Sequence, residues 1–584
     1  MTFLPHDRTS QREAAQLTRN RIMPNSYDLV AVAIMAALIV LLAHGATAMR
    51  APAEMLSTTP VTLDIANLPE YALRTTLRMF AAIIASLLFT FTVATLAAKS
   101  RRAEMVIIPA LDILQSVPVL GFLTFTVTFF IGLFPGSELG AECASIFAIF
   151  TAQAWNMAFS FYQSLRTVPR DLNEVSRSFG LSAWQRFWRL EAPFAAPGLI
   201  WNTMMSMSGG WFFVVASEAI TVGNTTVQLP GIGSWLALAI DKQDFRAVGW
   251  AVLAMATLIL LYDQLLFRPI VAWADKFRFE QTASQEKPRS WAFDVLRGAR
   301  LVKIIAVPFA WAWQRLMLFR LSSRRLPPPS VVAHKISRLI DRLWLGFVLV
   351  LALWAAFTAI SYMRQTLGWT DVAEAFGGGL VTLVRVIVLI AVASLIWVPI
   401  GVWIGLRPAV AERVQPLAQF LAAFPANVLF PVAVIAIVAT GANPSIWLSP
   451  LMVLGTQWYI LFNVIAGASA FPADLKEAAA VFKLRSWSWW RYVILPGIFP
   501  FYVTGALTAS GGSWNASIVA ELANWGNTRL EAFGLGSYIA KATEVGDFPR
   551  VVLGVAVMSL FVTLFNRILW RPLYVFAERR MRLD

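Results

Sequence analysis

Apolar runs of about 18 residues or more recur along the whole chain, each long enough to cross a hydrocarbon core of roughly 30 Å as a helix. Buried in lipid, such a run must pair every backbone N–H and C=O within itself, so it folds as a helix. Only 14% of the 584 residues are charged and 58% are hydrophobic, against about 25% charged in soluble domains. A soluble helical bundle does not hold about a dozen all-apolar helices, so the chain reads as an all-α polytopic membrane protein.

Six spans are expected in the first half, near 28–46, 71–97, 104–130, 140–163, 194–220 and 246–270. Six more are expected near 340–363, 377–406, 414–440, 446–468, 497–522 and 548–573, making about 12 transmembrane helices in two parallel six-helix repeats. Basic loops alternate with less basic ones. Arg8, Arg12, Arg19 and Arg21, then Lys99, Arg101 and Arg102, then Arg166, Arg170, Arg177, Arg186 and Arg189 fall on one side. The positive-inside rule makes that side cytoplasmic, together with Arg579, Arg580 and Arg582 at the other end. The net charge of +15 therefore sets orientation and favours anionic headgroups; it needs no nucleic acid. One cysteine, Cys143, excludes an internal disulfide, and His6, His44 and His334 are too scattered to suggest a metal site.

The division expected is a cytoplasmic segment 1–27, a first transmembrane unit 28–270, a basic linker 271–338 and a second unit 339–584. Within the linker, 291–320 mixes Trp, Phe, Ile and Leu with spaced Arg and Lys, which predicts amphipathic helices on the inner leaflet. Pro308 is expected to break that stretch, a short re-entrant or extra span pair being the alternative, and Pro327, Pro328 and Pro329 to mark the end of the linker.

A polar stretch between spans occurs twice: DLNEVSRSFGLSAWQRFWRLEAP from Asp171 to Pro193, and DLKEAAAVFKLRSWSWWRYVILP from Asp474 to Pro496. Asp171 matches Asp474, Glu174 matches Glu477, Phe179 matches Phe482 and Trp184 matches Trp487, all 303 residues apart. At a slightly different offset Thr75, Arg78 and Pro118 match Thr382, Arg385 and Pro425. This is an internal duplication. A polar loop that holds its spacing suggests that something docks on it. Asp171 and Asp474, each with a Glu three residues on, predict a capping box at the start of a short helix. Trp184, Trp188, Trp487, Trp489 and Trp490 are expected to anchor the following segment at headgroup level.

The duplicated stretch resembles the coupling loop of the membrane subunits of binding-protein-dependent ABC importers, whose motif is E-A-A, three residues, G, then often L-P. Glu477, Ala478 and Ala479 with Leu495 and Pro496 match it, as do Glu174, Gly180 and Pro193. Val175 and Ser176 stand where the alanines would, and Lys483 stands at the glycine. Either the two loops couple unequally, or the turn at Lys483 is helical and needs no positive φ. The resemblance implies that Asp171, Glu174, Gly180, Asp474, Glu477, Ala478, Ala479 and Lys483 contact an ATPase, and that two permease units of the type I, MetI-like kind are fused in tandem. It implies a paired cytoplasmic ABC ATPase carrying ATP and Mg, a periplasmic or lipid-anchored substrate-binding protein, and a bacterial inner-membrane location with both ends cytoplasmic.

The chain holds no G-x-x-x-x-G-K-[ST], so nucleotide binding is expected on another polypeptide, and it shows no catalytic motif, cofactor motif or Cys/His cluster. The best candidates for a solute path are Ser208, Trp211 and Glu218 in MSMSGGWFFVVASE of span five, Ser510, Ser513, Trp514, Asn515 and Glu521 in TASGGSWNASIVAE of its second copy, and Arg78 and Arg385 of span two. The two glutamates either sit at the periplasmic mouth or pair with Arg78 and Arg385 of span two; the residues alone leave both readings open. Gln153, Trp155, Gln457 and Trp458 of span four are further candidates. The GG-(S)-W pattern, closed by Ala520-Glu521 in the second copy and by Ser217-Glu218 in the first, resembles the branch that imports nitrate, taurine, sulfonates, or aromatic and pyrimidine-like compounds, which implies a small solute, often an anion. The alternative is a secondary transporter of parallel repeats. It would need deep ion-coupling carboxylates, for which only Asp112, unmatched at Gln419, is suitably placed.

Overall fold

The computed structural model describes residues 27–33, 35, 36, 40, 61–115, 117–135, 137–222, 225–277, 290–319, 331–469, 471, 475, 477, 479 and 481–580. The expected 28–46 span and the three prolines at 327–329 lie largely or wholly outside them. In chain order the main helices are α1 Leu68–Phe89, α2 Arg101–Leu114, α3 Val119–Leu133, α4 Leu139–Arg166, α5 Arg170–Ser178 and α6 Ala192–Glu218. A hairpin of β1 Ala219–Val222 and β2 Thr225–Gln228 follows, then α7 Ile232–Asp241, α8 Phe245–Tyr262, α9 Trp291–Gly298 and α10 Arg300–Leu318. The second half gives α11 Val331–Arg364, α12 Trp369–Gly405, α13 Pro408–Ala423, α14 Phe430–Thr440, α15 Gln457–Ser469 and α16 Leu495–Ala520. A second hairpin, β3 Leu522–Trp525 and β4 Thr528–Glu531, leads to α17 Leu535–Val545, α18 Phe548–Phe565 and α19 Arg571–Arg580. The fold is α-helical and polytopic, with one antiparallel two-stranded hairpin per repeat that the apolar pattern did not announce.

Six helices among the described residues are long and apolar enough to cross a membrane, and two bent pairs raise that to eight, below the twelve expected. The shortfall has physical reasons. The third span of each half is broken by proline: α2 and α3 part at Pro118, and Pro408–Ala423 meets Ala426–Thr440 at 79° beside Pro425. α4 is 28 residues long but carries Glu142, Gln153 and Asn156 among its apolar residues. Pro444–Leu454 and Gln457–Ser469 form the other bent pair, at 43°.

The described residues fall into two compact units. The larger gathers Met49–Phe159, Met205–Ile259 and Val331–Asp584. Its core is aliphatic and aromatic, with Trp514 fully buried and stacked on Phe561. Two contacts inside this unit relate the halves by a local two-fold. Val119 N–H, just after Pro118, donates to Asn515 Oδ1 of α16 at 2.9 Å. Asn427, just after Pro425, donates from Nδ2 to the carbonyl of Phe212 on α6 at 3.2 Å. Phe212 and Asn515 are 303 residues apart, so each half sends the turn after its repeated proline to the same place on the other half's span five.

The smaller unit gathers Met1–Ala48, Ser160–Met204 and Leu260–Ser330. The linker stretch is helical as expected, but Pro308 sits inside α10 and does not break it. A proline there removes one helix hydrogen bond, and the helix runs on through it to Leu318. Val307 and Trp311 are exposed, and Arg315 lies 4.8 Å over the Trp311 ring. Trp184 Nε1 donates to Leu316 O at 2.8 Å, Gln185 Nε2 donates to Leu318 O at 2.9 Å, and the Trp188 and Trp313 rings meet at 5.1 Å. The end of α10 is thus bonded to the segment just after α5. Trp184 is a linker contact, whereas its counterpart Trp487 is exposed.

Candidate functional site

The first duplicated loop forms α5, a turn, and a further helical start at Ala183–Arg186. The expected capping box at Asp171 is corrected. Pro169 is the N-cap and α5 begins at Arg170, so Asp171 lies inside the first turn and no side chain caps the helix. Its carboxylate still complements the positive helix end. The reciprocal box belongs to Ser182 and Gln185, where Gln185 N donates to Ser182 Oγ at 3.2 Å and Ser182 N donates to Gln185 Oε1 at 3.0 Å.

In the second loop Asp474 and Ala478 lie outside the described residues, while Leu475, Glu477, Ala479 and Val481 are helical. The helical-turn reading of Lys483 is overturned: its φ is 53°, beside 65° at Gly180. The backbone repeats as well. Leu181 N donates to Ser176 O at 3.2 Å, and Leu484 N donates to Ala479 O at 3.0 Å. A non-glycine residue held in this left-handed region costs about 1 kcal/mol. Lys483 is exposed, so Lys483→Gly is expected to stabilise the protein by about that amount, read as a higher melting temperature in detergent. Each loop also displays a bare aromatic side chain, Phe179 at 78% and Phe482 at 76% exposure.

A second constellation is interior and also duplicated. Thr75 Oγ1 donates to Glu218 Oε1 at 2.7 Å and accepts from Ile232 N at 3.1 Å. Arg78 donates from Nη1 to Glu218 Oε1 at 2.6 Å. Gly233 N donates to Glu218 Oε2 at 2.6 Å. In the other half Thr382 Oγ1 donates to Glu521 Oε1 at 2.8 Å and accepts from Leu535 N at 3.0 Å. Arg385 Nη1 donates to Glu521 Oε1 at 3.0 Å, and Gly536 N donates to Glu521 Oε2 at 2.8 Å. The open choice for the glutamates is thereby resolved: both pair with the span-two arginines. Each carboxylate ties the end of span five to span two and to the helix after the hairpin.

Glycine is required around this clamp by close approach. A Cβ on Gly231 or Gly534 would lie 2.3 Å from the Glu218 or Glu521 carboxylate. One on Gly233 or Gly536 would lie 2.3 Å from the carbonyl oxygen of Val215 or Ser517. The sequence signal for these residues is Gly231-Ile-Gly-Ser against Gly534-Leu-Gly-Ser, at the same 303 offset, and the sequence reading passed over it. Glu142 has no counterpart carboxylate, so no repeat signals it. Arg78 donates from Nε and Nη2 to Glu142 Oε2 and Oε1, each at 2.6 Å, and all three charged side chains are fully buried. At the matching position stands Ser445, whose backbone carbonyl accepts from Arg385 Nη2 at 3.3 Å. The first clamp therefore holds two carboxylates to one guanidinium, the second one to one.

The other span-five candidates are engaged in several ways. Ser208 shares a hydrogen bond with Tyr459, and Asn515 takes the Val119 N–H. Trp211 and Trp514 are buried, and Ser510 Oγ and Trp514 Nε1 have no hydrogen-bond partner. Ser513 and Thr456 share a hydrogen bond at 3.0 Å. Their counterparts are Gly210 and Gln153, and the Gln153 amide, packed against Gly210, is buried without a partner. Gln457 accepts from Trp397, whose ring meets that of Trp458 at 4.9 Å.

Comparison with known proteins matches the chain to one family model twice, over residues 90–268 and 397–582, together more than half its length. The chain is 26% identical over 185 residues to the nitrate import permease protein NrtB of Leptolyngbya laminosa, covering 32% of this chain and 63% of that protein. It is 27% identical over 186 residues to the bicarbonate transport system permease protein CmpB of Synechococcus elongatus, covering 32% and 64%. With the taurine transport system permease protein TauC of Escherichia coli it shares 26% identity over 278 residues, covering 47% and 88%. The match spans less than two thirds of the first two relatives. On the doubled match, the chain belongs to the family described as binding-protein-dependent transport system inner membrane component.

Proposed function

We propose that this chain is the membrane-spanning permease of an ATP-driven importer, carrying a small anion from periplasm to cytoplasm. Two permease units, 28–270 and 339–584, are joined by the linker 271–338, and the basic loops and both ends face the cytoplasm. A separate paired ATPase, with its ATP and Mg, docks on the two duplicated loops, and a substrate-binding protein delivers the solute from outside. The solute class follows from the relatives named for nitrate, bicarbonate and taurine, all small and anionic or zwitterionic.

The observation that carries the reading is the pair of loops. Each presents a helix, a left-handed turn at Gly180 or Lys483, and an aromatic side chain bare to solvent one residue earlier. A bare aromatic side chain at the same place in both duplicated polar loops supports a surface that another protein covers. The ion-paired glutamates hold each half together and leave the uncharged span-five residues as the better candidates for solute contact.

The test is co-purification with the products of adjacent genes, followed by ATPase activity and uptake in proteoliposomes. Phe179→Ala and Phe482→Ala are each expected to weaken ATPase binding by roughly 30-fold, the effect of removing an aromatic anchor worth about 2 kcal/mol. Unchanged binding and coupling in the double variant, or uptake that follows an ion gradient without ATP, sinks the proposal.

A further inference from the structure

The last span ends in a groove of about 490 Å³ lined by Arg567, Arg571, Pro572, Val575, Phe576 and Arg579. The three arginines are exposed, and among the described residues none makes an ion pair. Glu578 is the one acidic residue in 566–580. The groove thus joins apolar walls to three guanidinium groups at the point where a helix of 30 apolar-rich residues, Phe548–Ala577, leaves the membrane.

The first half supplies the contrast. Its matching segment reads Asp263-Gln264 where the second reads Asn566-Arg567, and Arg268 stands at the place of Arg571. There Arg268 Nε bonds Asp263 Oδ2 at 2.9 Å, and Lys276, the counterpart of Arg579, lies 4.4 Å over the Trp273 ring. Replacing Asp by Asn releases one arginine, and replacing Gln by Arg adds another. The same helix end is internally neutralised in one repeat and openly cationic in the other.

We propose that the groove of Arg567, Arg571 and Arg579 binds the phosphate headgroup of an anionic phospholipid, with Val575 and Phe576 against its glycerol and upper acyl region. Guanidinium groups pair with phosphate oxygens in a planar, two-pronged fashion, and a juxtamembrane arginine contributes about 1 kcal/mol toward an anionic leaflet. A diester phosphate at the membrane surface places its charge at the depth where a span ends. A soluble phosphate would leave the apolar half of the groove empty.

The test titrates the full-length protein in detergent with phosphatidylglycerol or phosphatidylcholine and counts bound lipid by native mass spectrometry. The parent should retain phosphatidylglycerol over phosphatidylcholine. R567Q/R571Q/R579Q should lose about fivefold in affinity per arginine, roughly a hundredfold in all, while R268Q, which removes an arginine already paired, should leave it unchanged. Should the triple variant fail to fold, the single variants R567Q, R571Q and R579Q should each lose about fivefold in affinity, and unchanged retention in all three would overturn the site. Equal retention by the glutamine variant overturns the site, as does an equal loss in R268Q. Displacement by millimolar inorganic phosphate would assign the groove to a free anion and overturn the lipid as its occupant.

Discussion

Arg78→Ala is expected to destabilise the protein by about 3–5 kcal/mol, the cost of leaving buried charge uncompensated. Arg78 is the shared partner of Glu142 and Glu218, all three at 0% exposure. Its removal strands two carboxylates in a dry site. Arg385→Ala should cost clearly less. Arg385 is 12% exposed, faces a single carboxylate, and Glu521 keeps the donors Thr382, Gly536 and Ser537. Thermal unfolding in detergent, with the yield of monodisperse protein, measures both. Arg78→Ala with Glu142→Gln should recover part of the loss, because one stranded charge becomes a neutral amide. Equal melting temperatures for the two single variants would show that the second carboxylate carries no charge burden.

Gly536→Ala, and likewise Gly233→Ala, is expected to cost about 1–3 kcal/mol through overpacking. The added Cβ would meet backbone, Ser517 O at 2.3 Å and Ser517 C at 2.4 Å, or Val215 O at 2.3 Å, and backbone cannot rotate away as a flexible side chain does. The hairpin and the helix after it would have to move off span five, loosening the Glu521 or Glu218 bonds. Gly249→Ala is the control: its Cβ meets nothing within 4 Å on α8, and an exposed helical alanine should gain roughly 0.5–1 kcal/mol. A stabilised Gly536→Ala would mean that this contact is looser than the geometry implies.

Much of this architecture is readable from sequence because a bilayer accepts so few solutions. Long apolar runs had to be helices, and an offset of 303 residues had to mean two copies of one unit. The pairing of Arg78 with Glu218 and of Arg385 with Glu521 was within reach, since both partners repeat. Glu142 was not, because nothing repeats with it. The capping residue of α5 was misplaced because Pro169 starts a helix as readily as Asp171 caps one. The hairpins escaped notice because strands of 4 residues carry too little pattern to register. The positive φ at Lys483 was unreadable from a lysine, and it follows only from the backbone shared with Gly180.

The two contacts between the proline turns and span five carry a consequence of their own. One is made by a side-chain oxygen, Asn515 Oδ1, and the other by a backbone oxygen, that of Phe212. In an assembly of two identical subunits such a pair would have to be the same, since one gene writes both sides. Here a single polypeptide writes them separately, so the two walls of the seam are chemically unlike while the folding pattern stays matched. The seam thus has a left and a right, and a molecule with two different ends held in it would have one preferred way to face.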